Sequence, residues 1–239
     1  MLFDLDFKRL RCVTMGVAKL RLLSLVCSFV LSAGCASVSS PTRFASAASG
    51  THVMFNGEVL RLEGKTVTVG SRLSATSLID AFSMRKVDIS EMKGKMLFLS
   101  IVPTLDNSAH LNGKVLYSSR MPSLDTKFSD AQTQYLGEKG KNIPSNVIRI
   151  TISRDSPYVQ KRYAKDVNFS DMMFLSDYRD GAFGRSVGLL VAEHMFLARA
   201  IIIVGVDGIV KYVQVVPEMT QLPDMDKAIE IACQFAEGV

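Results

Sequence analysis

A chain of 239 residues that is 48% hydrophobic and 21% charged carries enough apolar material for one globular domain with a substantial core. The formal charge of +5 overstates its basic character. Residues 1–34 hold Lys8, Arg9, Arg11, Lys19 and Arg21 against Asp4 and Asp6, and the rest carries 23 Lys+Arg against 21 Asp+Glu, a net of +2. That near balance excludes a basic footprint for nucleic acid.

The N-terminus reads as a targeting segment, residues 1–34. Lys19 and Arg21 precede the apolar run Leu22–Leu31, followed by Ser32-Ala33-Gly34-Cys35. The run is too short to span a bilayer and suits a signal-peptide core. Met15 offers an alternative start. Small residues ending in cysteine resemble the cleavage box of bacterial lipoproteins, which implies that Cys35 is the acylated first mature residue. Ser32 departs from the leucine usual in that box, and plain secretion with an incidental Cys35 is the other reading. A lipid-anchored protein of the bacterial cell envelope, facing the periplasm, is the expectation.

With the signal removed and Cys35 capped, Cys233 is the one free thiol, so no intramolecular disulfide is expected. Residues 35–50, rich in Ala and Ser, have the composition of a flexible tether. Residues 51–239 are the folded domain.

Asn56-Gly57 is a strong turn signal and predicts a β-hairpin over 52–69, with flanks alternating through Val59, Val67 and Val69. Leu78–Ile89 is ambiguous between strand and turn. Met96–Val102 is a continuous apolar run typical of a strand buried on both faces. It ends in Pro103-Thr104-Leu105-Asp106, and nineteen residues later the chain echoes itself as Pro122-Ser123-Leu124-Asp125. A short helix is expected over 129–136, a buried strand over 147–153 and a helix over 157–165. A hairpin follows, with strands 201–206 and 209–215 about Asp207-Gly208. In the last helix, 225–236, Ile229, Ala232, Cys233 and Ala236 share one apolar face.

The stretch Pro122-Ser123-Leu124-Asp125-Thr126-Lys127-Phe128-Ser129 resembles the active-site loop of the thiol peroxidases, a branch of the peroxiredoxins with the pattern Pro-x-x-x-Thr-x-x-Cys. Pro122 and Thr126 match; Ser129 stands at the cysteine. Ser156-Pro157-Tyr158-Val159-Gln160-Lys161-Arg162-Tyr163 resembles the family's resolving-cysteine helix, and there Ala164 stands at the cysteine. Further likeness runs through Leu175–Arg179, Phe183-Gly184, Ala198-Arg199-Ala200 and Glu218–Asp224. The resemblance implies a thioredoxin-like α/β fold, a central mixed sheet flanked by helices with an N-terminal β-hairpin. A second register, on the first copy of the echo, would put His110 at the cysteine and Asn107 at the threonine.

In the family the threonine orients the peroxide and the arginine, here Arg199, polarises it and activates the thiol. A serine hydroxyl cannot cycle through sulfur's oxidation states, so loss of peroxide reduction with a retained binding or structural role is the expectation. The resemblance also implies a homodimer formed through the active-site face, and a small polar or peroxide-like ligand. The alternative is an active, thioredoxin-dependent peroxidase in antioxidant defence that uses another thiol; with Cys233 as that thiol, it requires Cys233 exposed and close to Arg199.

Bland roles are weighed beside these. Ser129 followed by Gln132 is an S-x-x-Q capping box. Arg199 is as readily a structural partner of Glu193 or Glu218. Cys233 on an apolar face is a small hydrophobe. His52, His110 and His194 show neither triad nor metal-ligand spacing, and no cofactor is implied.

Overall fold

Two strands open the structure. β1 (His52–Phe55) and β2 (Glu58–Glu63) pair antiparallel about Asn56-Gly57. Both turn residues hold positive φ, 50° and 82°, the left-handed backbone a two-residue hairpin turn demands. This is a computed structural model; it describes residues 52–105, 124–191 and 193–238, with the side chains at 124–126 left undescribed. All lie in one unit, Ser40–Val239.

The expected alternation in the hairpin is displaced. Leu60 and Leu62 face the core, Val59 and Val69 are each 62% exposed, and residues 64–69 form no strand. Because side chains alternate with period two, the two leucines claim the inner face and Val59 must point outward.

The ambiguous segment is both strand and turn: β3 (Leu78–Asp80), a tight turn, then β4 (Lys86–Val87). β5 (Met96–Ile101) is buried at every position. It lies between β6 (Val147–Ser153), parallel, and β10 (Ala200–Val204), antiparallel. With β7 (Met173–Ser176) and β11 (Val210–Val215) the order is β11-β10-β5-β6-β7-β3-β4. Parallel pairs sit at the centre and antiparallel ones outside, so the sheet is mixed. A smaller antiparallel sheet joins β1 and β2 to β8 (Leu190–Val191) and β9 (Phe196–Leu197).

Four α-helices among the described residues complete the fold: α1 (Leu124–Lys139), α2 (Pro157–Asp166), α3 (Ala182–Ser186) and α4 (Met225–Glu237). Side chains of α1, α2 and α4 meet Met96, Phe98, Phe174, Ile201 and Ile203 on one face of the large sheet. Leu97, Leu99, Ile101, Ile150 and Ile152 on the other face meet α3 and the small sheet. Each such buried side chain contributes about 1.5–3 kcal/mol. Covering both faces is what lets β5 read as an unbroken apolar run.

One expected element is corrected. The short helix at 129–136 is the middle of α1, which starts five residues earlier. Its buried positions 129, 132, 133, 136 and 137 keep helical spacing, but only Leu136 has an apolar side chain. A polar stripe hides a helix from any reading of hydrophobic period.

Candidate functional site

The parallel strands β5, β6 and β7 end together, and the loops after them are tied by polar side chains. Asp155, just past β6, accepts from the Leu105 amide at 2.6 Å and from Ser153 Oγ at 2.6 Å. Gln160 of α2 donates to Ser153 Oγ and to the Leu175 carbonyl, both at 2.9 Å. The carboxyl ends of parallel strands are where α/β folds place ligands.

Gln132 reaches this edge from α1. Its amide Nε2 donates to Ser100 Oγ at 2.9 Å, while its Oε1 accepts from Arg199 Nη1 at 3.1 Å. Arg199 lies just before β10 and also donates through Nε to the Met219 carbonyl at 2.9 Å. Its side chain is 0% exposed. A buried guanidinium stays charged, so these charge-assisted hydrogen bonds replace part of its lost hydration. The expected pairings of Arg199 with Glu193 or Glu218 do not form. Glu193 accepts from the Arg61 amide, and Glu218 accepts from the Asn56 and Thr220 amides, bracing the hairpin turn instead.

Ser129, also 0% exposed, lies one turn before Gln132 on α1. Its backbone carbonyl accepts from Thr133 Oγ1 at 2.8 Å, but its own Oγ has no hydrogen-bond partner among the described residues. The capping-box reading is therefore corrected: Ser129 is inside the helix, and Gln132 turns to the sheet rather than back to Ser129. Pro122 and Cys35 lie outside the described residues, as do Asn107, His110 and, within the sequence echo, Asp106 and Ser123. Thr126 belongs to α1, with its side chain outside the description.

Asp130 and Tyr163 join α1 to α2, the Tyr163 hydroxyl donating to Asp130 Oδ1 at 2.7 Å. Burial and the neighbouring carboxylate push the Tyr163 phenol far above its usual range, so it remains a donor. Ala164, next in the chain, is buried in the core. The structure thus links the neighbours of Ser129 and Ala164 directly.

Cys233 is elsewhere. Asn146, which precedes β6, donates to the carbonyl of Ala236, fixing the end of α4 at the amino ends of β5 and β6. Arg199 is beyond their opposite ends, since Ala200 pairs with Ile101. Cys233 is half-buried, and its thiol pKa is raised by burial and then by Glu237. The inner face of α4 is Met225, Ala228, Ala232 and Ala236, with Ile229 and Cys233 at its margin. An exposed Cys233 beside Arg199 is excluded. Among the described residues, no group of His, Cys, Asp and Glu could hold a metal ion, and no helix is long and apolar enough to cross a membrane.

Gln132 is the residue that sequence reasoning missed as a site component. Its signal in the sequence is the three-residue spacing from Ser129, which equally fits a helix cap.

A mixed sheet with helices packed on one face and a hairpin-led second sheet on the other, its polar cluster at the strand ends, defines a thioredoxin-like α/β protein of the peroxiredoxin kind. The family model described as Redoxin matches residues 68–229, and the chain belongs to that family. It is 36% identical over 182 residues to a thiol peroxidase of Listeria innocua, covering 76% of this chain and 98% of that one. To a thiol peroxidase of Halalkalibacterium halodurans it is 32% identical over 180 residues, covering 75% and 96%. A peroxiredoxin-like protein from Aquifex aeolicus superposes with a TM-score of 0.66 at 23% identity, covering 79% of this chain and 99% of that one. The thiol peroxidase from Chromobacterium violaceum gives 0.61 at 16%, with the same coverage. The two solved structures speak to the fold alone.

Proposed function

We propose that this chain is a thiol-peroxidase-type redoxin that has given up peroxide reduction and keeps a binding or structural role. The observation that carries the reading is Ser129, a wholly buried hydroxyl with no partner on the helix that Gln132 ties to Arg199. A peroxidatic cysteine attacks the O–O bond as thiolate and leaves as sulfenic acid, which a second thiol reduces. At Ser129 a hydroxyl replaces that thiol, and at Ala164 a methyl group replaces the resolving one. What remains is a set of buried polar side chains, Ser129, Gln132 and Arg199, whose chemistry suits a small polar ligand. Residues 1–50 support attachment to the cell envelope through lipid on Cys35, and the family likeness supports a homodimer.

The test is hydrogen peroxide consumption by the full chain, with thioredoxin and its reductase or with dithiothreitol, beside Ser129→Cys. Dithiothreitol is included because Ala164 offers no resolving thiol. Absence of turnover in the native chain is expected; turnover restored by Ser129→Cys adds that the Arg199 frame is still competent. Native turnover abolished by Cys233→Ala would overturn the reading.

A further inference from the structure

A second concavity lies away from this site. It has a volume of about 450 Å³ and is lined, among the described residues, by Phe82, Ala164, Lys165, Asn168, Phe169, Ser170 and Met172. That size falls within the range of small-molecule pockets. The ten residues of α2 run about 15 Å away from the strand ends that hold Gln160, and the pocket lies at the helix's far end.

Its walls are fixed. Val167 ends α2 and Asn168 takes a φ of 54°. The Phe169 amide returns to the Ala164 carbonyl at 3.2 Å and the Asn168 amide to the Lys165 carbonyl at 3.2 Å. Together these form a Schellman stop, which seats Phe169 against Ala164. The Phe169 ring in turn lies on Gly137 of α1, where an added Cβ would come within 2.2 Å of it. Phe82 stands opposite on the β3–β4 turn, its tip held by Asp80 Oδ1 accepting from the Ser83 amide at 2.6 Å. It is 42% exposed, a large aromatic left to water beside an apolar floor.

Among the described lining residues the charge is positive only. Lys165 is part of the lining, and Lys161, one turn earlier on α2, places Nζ 6.0 Å over the Phe82 ring. Asp171, the nearest acid in the 168–172 loop, is turned to Arg149 in an ion pair. An apolar, preformed cavity with ammonium groups at its lip matches an amphipathic anion.

We infer that this pocket binds a free medium-chain fatty acid, with the acyl chain against Ala164, Phe169 and Met172 and the carboxylate toward Lys161 and Lys165. The inference is independent of whether the Arg199 site turns over peroxide.

Titration of the full chain with decanoate, followed by calorimetry and by methyl NMR of Met172, tests it. Saturable binding is expected, at least tenfold tighter than for decyltrimethylammonium, with the Met172 methyl shifting. Lys165→Glu, a change at an exposed helix position, is expected to weaken decanoate at least tenfold, and Phe82→Ser to weaken it with Lys165 intact. Equal binding of the cationic amphiphile, undiminished binding by Lys165→Glu, or a silent Met172 would each overturn the assignment. So would binding to anionic phospholipid vesicles without binding to decanoate.

Discussion

Replacing Ser129 by alanine is expected to stabilise the fold. The hydroxyl is wholly buried without a partner among the described residues, so folding strips its hydration and returns nothing, at a cost of about 1–3 kcal/mol. Position 129 is the sixth residue of a sixteen-residue helix, where alanine is also the better helix former by roughly half a kcal/mol. Against these gains stands the packing of one oxygen atom, worth less than the roughly 0.8 kcal/mol of a buried methylene. The balance is a stabilisation of about 1–2 kcal/mol. Were Ser129 the N-cap, alanine would instead cost about 0.5–2 kcal/mol. The two structures of this segment therefore predict opposite signs. Urea unfolding followed by far-UV circular dichroism reads the sign directly, with the slope unchanged and the midpoint raised. Thermal unfolding should move up by about 2–4 °C per kcal/mol for a domain of this size. A lowered midpoint in Ser129→Ala would refute the buried, unpartnered hydroxyl.

Gln132→Leu is expected to destabilise by about 3–5 kcal/mol, because it strips an acceptor from the buried Arg199 guanidinium and a donor from Ser100. A loss under about 1 kcal/mol in urea unfolding would show that Gln132 does not hold this junction. Asp177 supplies a pH test: it is buried and accepts from the Phe183 and Gly184 amides. Burial, the largest influence, outweighs those two hydrogen bonds and lifts its pKa above the usual carboxylate range. The folded state then binds the proton more tightly than the unfolded chain. The contribution of Asp177 is thus greatest below the unfolded pKa of about 3.9 and is lost as pH rises through the raised native value. The stability of the native chain minus that of Asp177→Asn should fall with pH across that window and then level. A pH-independent difference would contradict the assignment.

The elements legible in the sequence are those whose burial is apolar and whose ends are chemically marked. β5 and β6 announce themselves as apolar runs, α2 by Ser156 and Pro157 at its start, and the β10–β11 hairpin by Asp207-Gly208. Ser156 Oγ does accept from the Val159 amide, so that local signal was also the structural one. The start of α1 is hidden in the sequence because its buried stripe is Ser129, Gln132 and Thr133, residues that look like a cap and a solvated turn. Gln132 is buried because Arg199 and Ser100 wait for it at the sheet edge, and a contact between residues 67 positions apart leaves no local trace. Arg199 itself was legible only through family likeness, since nothing in Ala198-Arg199-Ala200 predicts a wholly buried side chain. The pocket at Ala164 was invisible for a related reason: its lining joins α2 and the 168–172 loop to Phe82, some eighty residues earlier.

Gln132 and Ser129 constrain what the site has become. Burying a guanidinium is expensive, and apolar replacements of such groups are often neutral or stabilising. Arg199 is nonetheless buried here, and Gln132 spends both ends of its amide on holding it to Ser100. One helical turn away, Ser129 carries a polar atom with no return in hydrogen bonding. A segment serving stability alone would not combine these two costs within one turn, and local rules of this kind are broken where a site is kept for something else. The pair of substitutions at position 129 separates the possibilities. If Ser129→Ala stabilises and Ser129→Cys restores turnover, the frame is a working peroxide site in which the oxygen of one side chain is the obstacle. If Ser129→Ala stabilises and Ser129→Cys stays silent, the frame has changed beyond position 129, and what Arg199 and Gln132 hold is not a peroxide.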